Sequence, residues 1–120
     1  MIHPAGNRIR KTERLLKRRE FLYLSRQGSS IGNRYFVVSF QCNTLGFSRL
    51  GITVTRKTGN AVVRNRIKRH VREFFRQNRH LLGTGVDVNV IAKKAAAEAT
   101  SRQSFVALRQ LFGKIGGHSN

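Results

Sequence analysis

The sequence predicts a mixed α/β (α+β) sandwich, one small mixed sheet with helices packed on it in the order α-β-β-α-β-α. A long stretch of helical periodicity fills the middle of the chain, and runs of period-two alternation flank it on both sides. With 120 residues, 39% of them hydrophobic, there is material for one modest core and not for two. The chain therefore reads as a single domain over residues 1–120, with 1–11 and 114–120 as flexible ends.

Residues Met1 to Lys11 carry Pro4, Gly6 and several cations, the composition of an arm. Lys17 to Arg26 reads as the first helix, with Phe21 and Leu24 as its apolar positions. Gln27-Gly28-Ser29-Ser30 stops it, and Gly28 suits the C-terminal cap. From Gly32 to Gln41 the run GNRYFVVSFQ is rich in aromatic and β-branched residues and predicts a strand. Tyr35, Val37, Ser39 and Gln41 share one face of it; Phe36, Val38 and Phe40 share the other, more apolar face. Asn43 to Ser48 makes a hairpin connection, and Arg49 to Thr55 (RLGITVT) returns as the next strand.

The stretch from Thr55 to Arg76 organises the chain. It opens on a Thr-Gly-Asn turn signal and continues as an unbroken helical pattern. With Ile67 at zero and about 100° per residue, Val63, Val71 and Phe74 fall within roughly 40° of it, with Phe75 on the border. Asn65, Lys68, Arg69, Arg72, Arg76 and Arg79 gather on the opposite side, between about 100° and 200°. One face is a core stripe and the other a cationic rail. Only Glu73 offers an acidic partner within the helix, so like charges crowd the rail. An external polyanion would supply the counter-charge. The first-turn N–H groups beside Arg56 and Lys57 add a second reason to expect anions here. After the Gly83-Thr84-Gly85 loop, Val86 to Ala92 predicts a third strand. Thr100 or Ser101 caps a last helix with Phe105, Leu108, Leu111 and Phe112 on its core stripe, and Gly113, Gly116 and Gly117 end it.

Charge narrows the partner. Twenty-four Lys and Arg face five acids, a formal charge of +19, which suits nucleic acid. No apolar run reaches the ~20 residues of a membrane span, and no signal-peptide core opens the chain, so a cytoplasmic protein is expected. Cys42 is alone, which leaves no disulfide framework and no thiolate zinc site. The acids Glu13, Glu20, Glu73, Asp87 and Glu98 never occur as a close pair, and His70 and His80 lack metal-site spacing. No catalytic residue and no protein metal ligand is expected. The rings of Phe21, Tyr35, Phe36 and Phe40 lie near the first helix and first strand, where unpaired RNA bases would stack. Core positions are the competing reading for Phe36 and Phe40, and Tyr35 is the better candidate for an exposed ring.

At Arg64-Asn65-Arg66-Ile67-Lys68-Arg69, followed by Arg72, the chain resembles the protein subunit of bacterial ribonuclease P. The lead-in Arg56-Lys57-Thr58-Gly59-Asn60-Ala61-Val62-Val63 resembles the family's turn, and the match extends through Arg49–Val54 and Glu73–Arg76. The resemblance implies a fold like the second domain of ribosomal protein S5, with a left-handed βαβ crossover. It implies a holoenzyme in which RNA is the catalyst and the 5′ leader of precursor tRNA is removed. It assigns RNA contacts to Arg56, Lys57, Asn60, Arg64, Asn65, Arg66, Lys68, Arg69, Arg72 and Arg76. Phe21, Tyr35 and Phe36 become candidates for a leader cleft between the first helix and the sheet; Ser25 and Ser39 are aromatic in some relatives. Mg²⁺ would be held mainly by RNA phosphates. The expected partners are the catalytic RNA and precursor tRNA, with no membrane and no obligate protein partner. A structural RNA-binding protein of the ribosomal type is the alternative, ahead of a nucleoid DNA-binding module, a peripheral membrane protein and a protein-only nuclease.

Overall fold

A computed structural model of the chain describes residues 9–83 and 85–118. The elements run α1 (Arg18–Gln27), β1 (Ser29–Gly32), β2 (Phe36–Cys42), β3 (Arg49–Thr53), α2 (Ala61–Asn78), β4 (Val86–Ala92) and α3 (Ser101–His118). The strands form one sheet in the order β1-β2-β4-β3, with β3 parallel to β4 and the other pairs antiparallel. Helix α2 makes the crossover between the two parallel strands, as a parallel pair requires.

The pleat sorts the sheet into two faces. Phe36, Val38, Phe40, Leu50, Val86, Val88 and Val90 point to a core completed by Ile67, Val71, Phe74 and Phe75 of α2 and Leu108, Leu111 and Phe112 of α3. Phe74 meets Phe105 and Phe112 edge to face, with ring centroids 5.6 and 5.1 Å away. Helix α1 lies on the other face. Its Leu24 is buried there, and the Phe21 ring sits against the bare backbone of Gly51, where an added Cβ would lie 2.5 Å from Cε1.

Polar groups fasten α1. Glu20 Oε1 accepts from the N–H groups of Leu16 and Lys17, both at 3.1 Å, closing the first turn. Its Oε2 takes Arg49 Nη1 at 2.8 Å, and Arg49 in turn binds Asp87 through Nε and Nη2 at 2.9 and 2.7 Å. Helix, edge strand and central strand are thus joined by one relay. Burial raises the Glu20 pKa, but the two backbone donors and Arg49 outweigh it and hold the carboxyl below its usual range. A depressed folded pKa gives stability that is present above the unfolded value, about 4.3, and lost as pH falls through the folded one. Glu20→Gln should therefore cost about 1 kcal/mol at pH 7, discounted for partial exposure, and progressively less in acid. Thermal melts of both proteins from pH 7 to pH 3 test this; a pH-independent difference would contradict it.

Four expectations need correction. Asn43 to Ser48 is not a hairpin connection, because β4 lies between β2 and β3 in the sheet. The Ser29–Gly32 segment is a strand paired with Gly32↔Val37 to Ser29↔Phe40, where sequence suggested only a helix stop. The chain is not loose from residue 114 onward: α3 continues to His118, and Ile115 is fully buried in the core. At the other end Ile9 packs on the core and Lys11 opens a 3-10 turn, so flexibility of 9–11 is also corrected, while residues 1–8, 119 and 120 lie outside the described ones. Gly116 permits the last turns of α3, and none of its glycines ends the helix before His118. Gly116 approaches Leu81 so closely that a Cβ would stand 2.0 Å from the Leu81 carbonyl oxygen, whereas nothing lies within 4 Å of a Cβ at Gly113. Gly116→Ala should destabilise by about 1–3 kcal/mol, and Gly113→Ala should stabilise by up to about 1 kcal/mol through helix propensity. Denaturant titration of the two variants reads both signs, and equal effects would argue against a helix here.

Candidate nucleic-acid interface

Asn60 caps α2, accepting from Val63 N–H at 3.0 Å. The cap follows a turn closed by Thr58 N–H to Thr55 O at 3.0 Å, with Thr58 buried and Arg56 and Lys57 exposed. The helix then divides as its periodicity requires: Ile67 and Val71 inward; Asn65, Arg69 and Arg72 outward.

Partners separate the ten proposed RNA-binding residues into two groups. Arg64 donates to the Gly59 carbonyl at 2.8 Å, steadying the lead-in. Arg66 points to the other side of α2 and donates to the Ala97 carbonyl, so it ties the helix to the segment after β4. Arg76 makes a bidentate pair with Glu73, at 2.9 and 3.0 Å, which lowers the Glu73 pKa and raises that of Arg76. Arg79 is joined to Glu13. Among the described residues, Lys68, Arg69 and Arg72 have no acidic partner, nor do Arg56 and Lys57. The C-terminal part of the rail is thus compensated, and the uncompensated charge is concentrated in the middle of α2 and the turn before it. Burial, then Arg66 and Arg69, lower the pKa of His70.

Of the three ring candidates the structure keeps one beside the rail. Phe21 lines a cleft of about 220 Å³ with Arg14, Leu15, Gly51, Lys68 and Arg72. Phe36 is fully buried in the core, so its place in a leader cleft is corrected: the face it shares with Val38 and Phe40 packs on α2 and α3. Tyr35 is half-buried against α3, in a groove with Arg34, Arg102 and Val106 and not with Phe21.

Beyond Phe21, the α1 side of the sheet presents a cross-strand row that sequence reading passed over. Val37 pairs with Ile91, and Ile91 with Thr53, and all three are half-exposed. Ser39, Asn89 and Gly51 form the next row, where α1 crosses. Gly51 was legible as a signal, because a glycine inside a strand marks a close approach. The row was not, because it needs the register of three strands.

A face combining apolar floor, one ring and uncompensated cations can hold an extended polyanion with its bases down and its phosphates toward the rail. No helix is long and apolar enough to cross a membrane among the described residues. A family model described as Ribonuclease P matches residues 9–116. The ribonuclease P protein component of Desulfatibacillum aliphaticivorans is 49% identical over 105 residues, covering 88% of this chain and 89% of its own length. That of Thermotoga maritima is 46% identical over 100 residues, covering 83% and 86%. Among solved structures, the RNase P protein from Thermotoga maritima superposes with a TM-score of 0.80 at 41% identity, over 86% of this chain and 97% of that one. The Staphylococcus aureus RNase P protein does so with a TM-score of 0.77 at 38% identity, over 83% and 92%. Matched along nearly its whole described length in sequence and in fold, the chain belongs to the ribonuclease P protein family.

Proposed function

We propose that the uncompensated cations of α2 and its lead-in grip the catalytic RNA, while the cleft between α1 and the sheet takes the 5′ leader of precursor tRNA. As a ribonuclease P protein component, the chain is an RNA-binding subunit of the endoribonuclease that matures tRNA 5′ ends, with catalysis by the RNA. One observation carries the reading: Phe21, Lys68 and Arg72 line a single cleft, so a strand held by stacking there runs directly onto the rail and the two RNAs meet at its edge.

The protein's contribution is electrostatic and positional. Two large RNAs repel each other, and a cation layer between them lowers that repulsion while releasing condensed counterions. Assembly and substrate capture in the cytoplasm follow from the same charge. No three His, Cys, Asp or Glu side chains converge among the described residues. Divalent ions belong to the RNA phosphates in this reading, and the protein strengthens their binding by holding substrate and catalyst together.

The test is cleavage of a precursor tRNA by a bacterial ribonuclease P RNA at low Mg²⁺, with and without the protein. Stimulation that weakens when the leader is trimmed to one nucleotide supports the cleft assignment. Equal stimulation with long and short leaders would remove the leader from it, and tight RNA binding without stimulation would favour a purely structural RNA-binding role.

A further inference from the structure

The groove that holds Tyr35 is built with more care than a surface depression needs. Asn33 pins the turn between β1 and β2 to α3, its Nδ2 donating to Ala107 O at 2.9 Å and to Gln110 Oε1 at 3.1 Å. Its Oδ1 accepts from the N–H groups of Tyr35 and Phe36, both at 3.1 Å, and its carbonyl accepts from Lys93 Nζ at 2.7 Å. The Tyr35 carbonyl accepts from Lys93 N–H at 2.8 Å. Both sides of Tyr35 are therefore fixed before any partner arrives, which lowers the ordering cost of binding.

The groove encloses about 350 Å³, in the range of small-molecule sites. Its floor is Tyr35, Ala107 and the exposed Val106; its cations are Arg34 and Arg102, and no acid lines it among the described residues. The Arg34 guanidinium lies 5.5 Å from the centre of the Tyr35 ring. An apolar floor with a ring, rimmed only by positive charge, complements a flat base joined to a phosphate. None of its lining residues belongs to α1, α2 or the turn before α2.

We infer that this groove is a second RNA site, which docks one unpaired nucleotide by stacking its base on Tyr35 and pairing its phosphate with Arg102 and Arg34. The amide oxygens of Gln103 and Gln110 accept from Thr100 N–H and Asn33 Nδ2. Stacking on a ring is tolerant of base identity. The inference rests on the family's RNA binding but not on the leader cleft. With the rail on α2 and this groove on α3, the protein holds RNA on two of its sides.

The experiment is photocrosslinking in the reconstituted holoenzyme, with 4-thiouridine placed either in unpaired segments of the catalytic RNA or in the precursor tRNA. A crosslink to the peptide carrying Tyr35 or Val106 is expected in one arm, which identifies the RNA that supplies the nucleotide. Tyr35→Leu should remove the crosslink and lower affinity for that RNA about fivefold or more, and Tyr35→Phe should keep both. Arg102→Glu, at an exposed position, should lower affinity without altering the melting temperature. Unchanged affinity in both variants with no crosslink in either arm would overturn the inference, as would preference of the groove for an acidic peptide over an RNA oligonucleotide. Lys68→Ala with Arg72→Ala serves as the independent control, because failure there would strike the rail and leave this groove untouched.

Discussion

Replacing Lys68 and Arg72 together by Ala is expected to weaken binding to the catalytic RNA by about 10- to 100-fold at physiological salt, with little change in melting temperature. Both cations lie on the solvent side of α2 with no acidic partner among the described residues, so their removal breaks no ion pair. Every phosphate left without its cation should reduce the slope of log affinity against log salt by about 0.7 to 0.9, giving roughly 1.5 for the pair. A filter-binding series across salt concentrations reads both quantities. Arg66→Ala is the informative contrast. Because Arg66 donates to the Ala97 carbonyl, its loss should lower stability more than it lowers the salt slope. If Arg66 and Lys68 variants had the same salt signature, the distinction between structural and free arginines on α2 would fail.

The largest effect on stability is expected from Phe74→Ala, at about 3–5 kcal/mol. The ring is fully buried and sits between Phe105 and Phe112, so truncation leaves a cavity at the seam of α2 and α3. A domain of ordinary stability, about 5–15 kcal/mol, would lose a large fraction of its margin. Urea unfolding followed by circular dichroism measures the loss directly. Saturating RNA should recover part of it, because a ligand that binds only the folded chain shifts the equilibrium toward it. A cost below about 1 kcal/mol would mean that the seam collapses around the missing ring.

What sequence could supply depended on the range of the interaction. The α2 stripe of Ile67, Val71 and Phe74 was readable because a helix repeats within a few residues, and the structure buries those three together. The Thr-Gly-Asn turn before α2 and the α3 stripe of Leu108, Leu111 and Phe112 followed from equally local rules. Strand β1 was hidden because Ser29-Ser30-Ile31-Gly32 has the composition of a loop and becomes a strand by pairing with β2. The end of α3 was hidden by its glycines, whose helical state depends on Ile115 reaching the core. In the candidate site, the helical wheel placed Lys68 and Arg72 correctly on the solvent side but could not show which cations were already engaged. The partners of Arg49, Arg66 and Arg79 lie 29 to 66 residues away. Phe36 and Tyr35 show the same limit, since Phe36, the first residue of β2, went to the core and Tyr35, just before the strand, to a groove on α3.

The row of Val37, Ile91 and Thr53 bears on how many different transcripts one small subunit can serve. Two aliphatic chains and one hydroxyl give a base a surface to rest on, but only one group able to form a hydrogen bond, and Thr53 already donates to Asn89 at 3.2 Å. A floor of this kind grips without proofreading. Leaders of unrelated sequence would compete on nearly equal terms, and selection among them would fall to the tRNA body and to the RNA that recognises it.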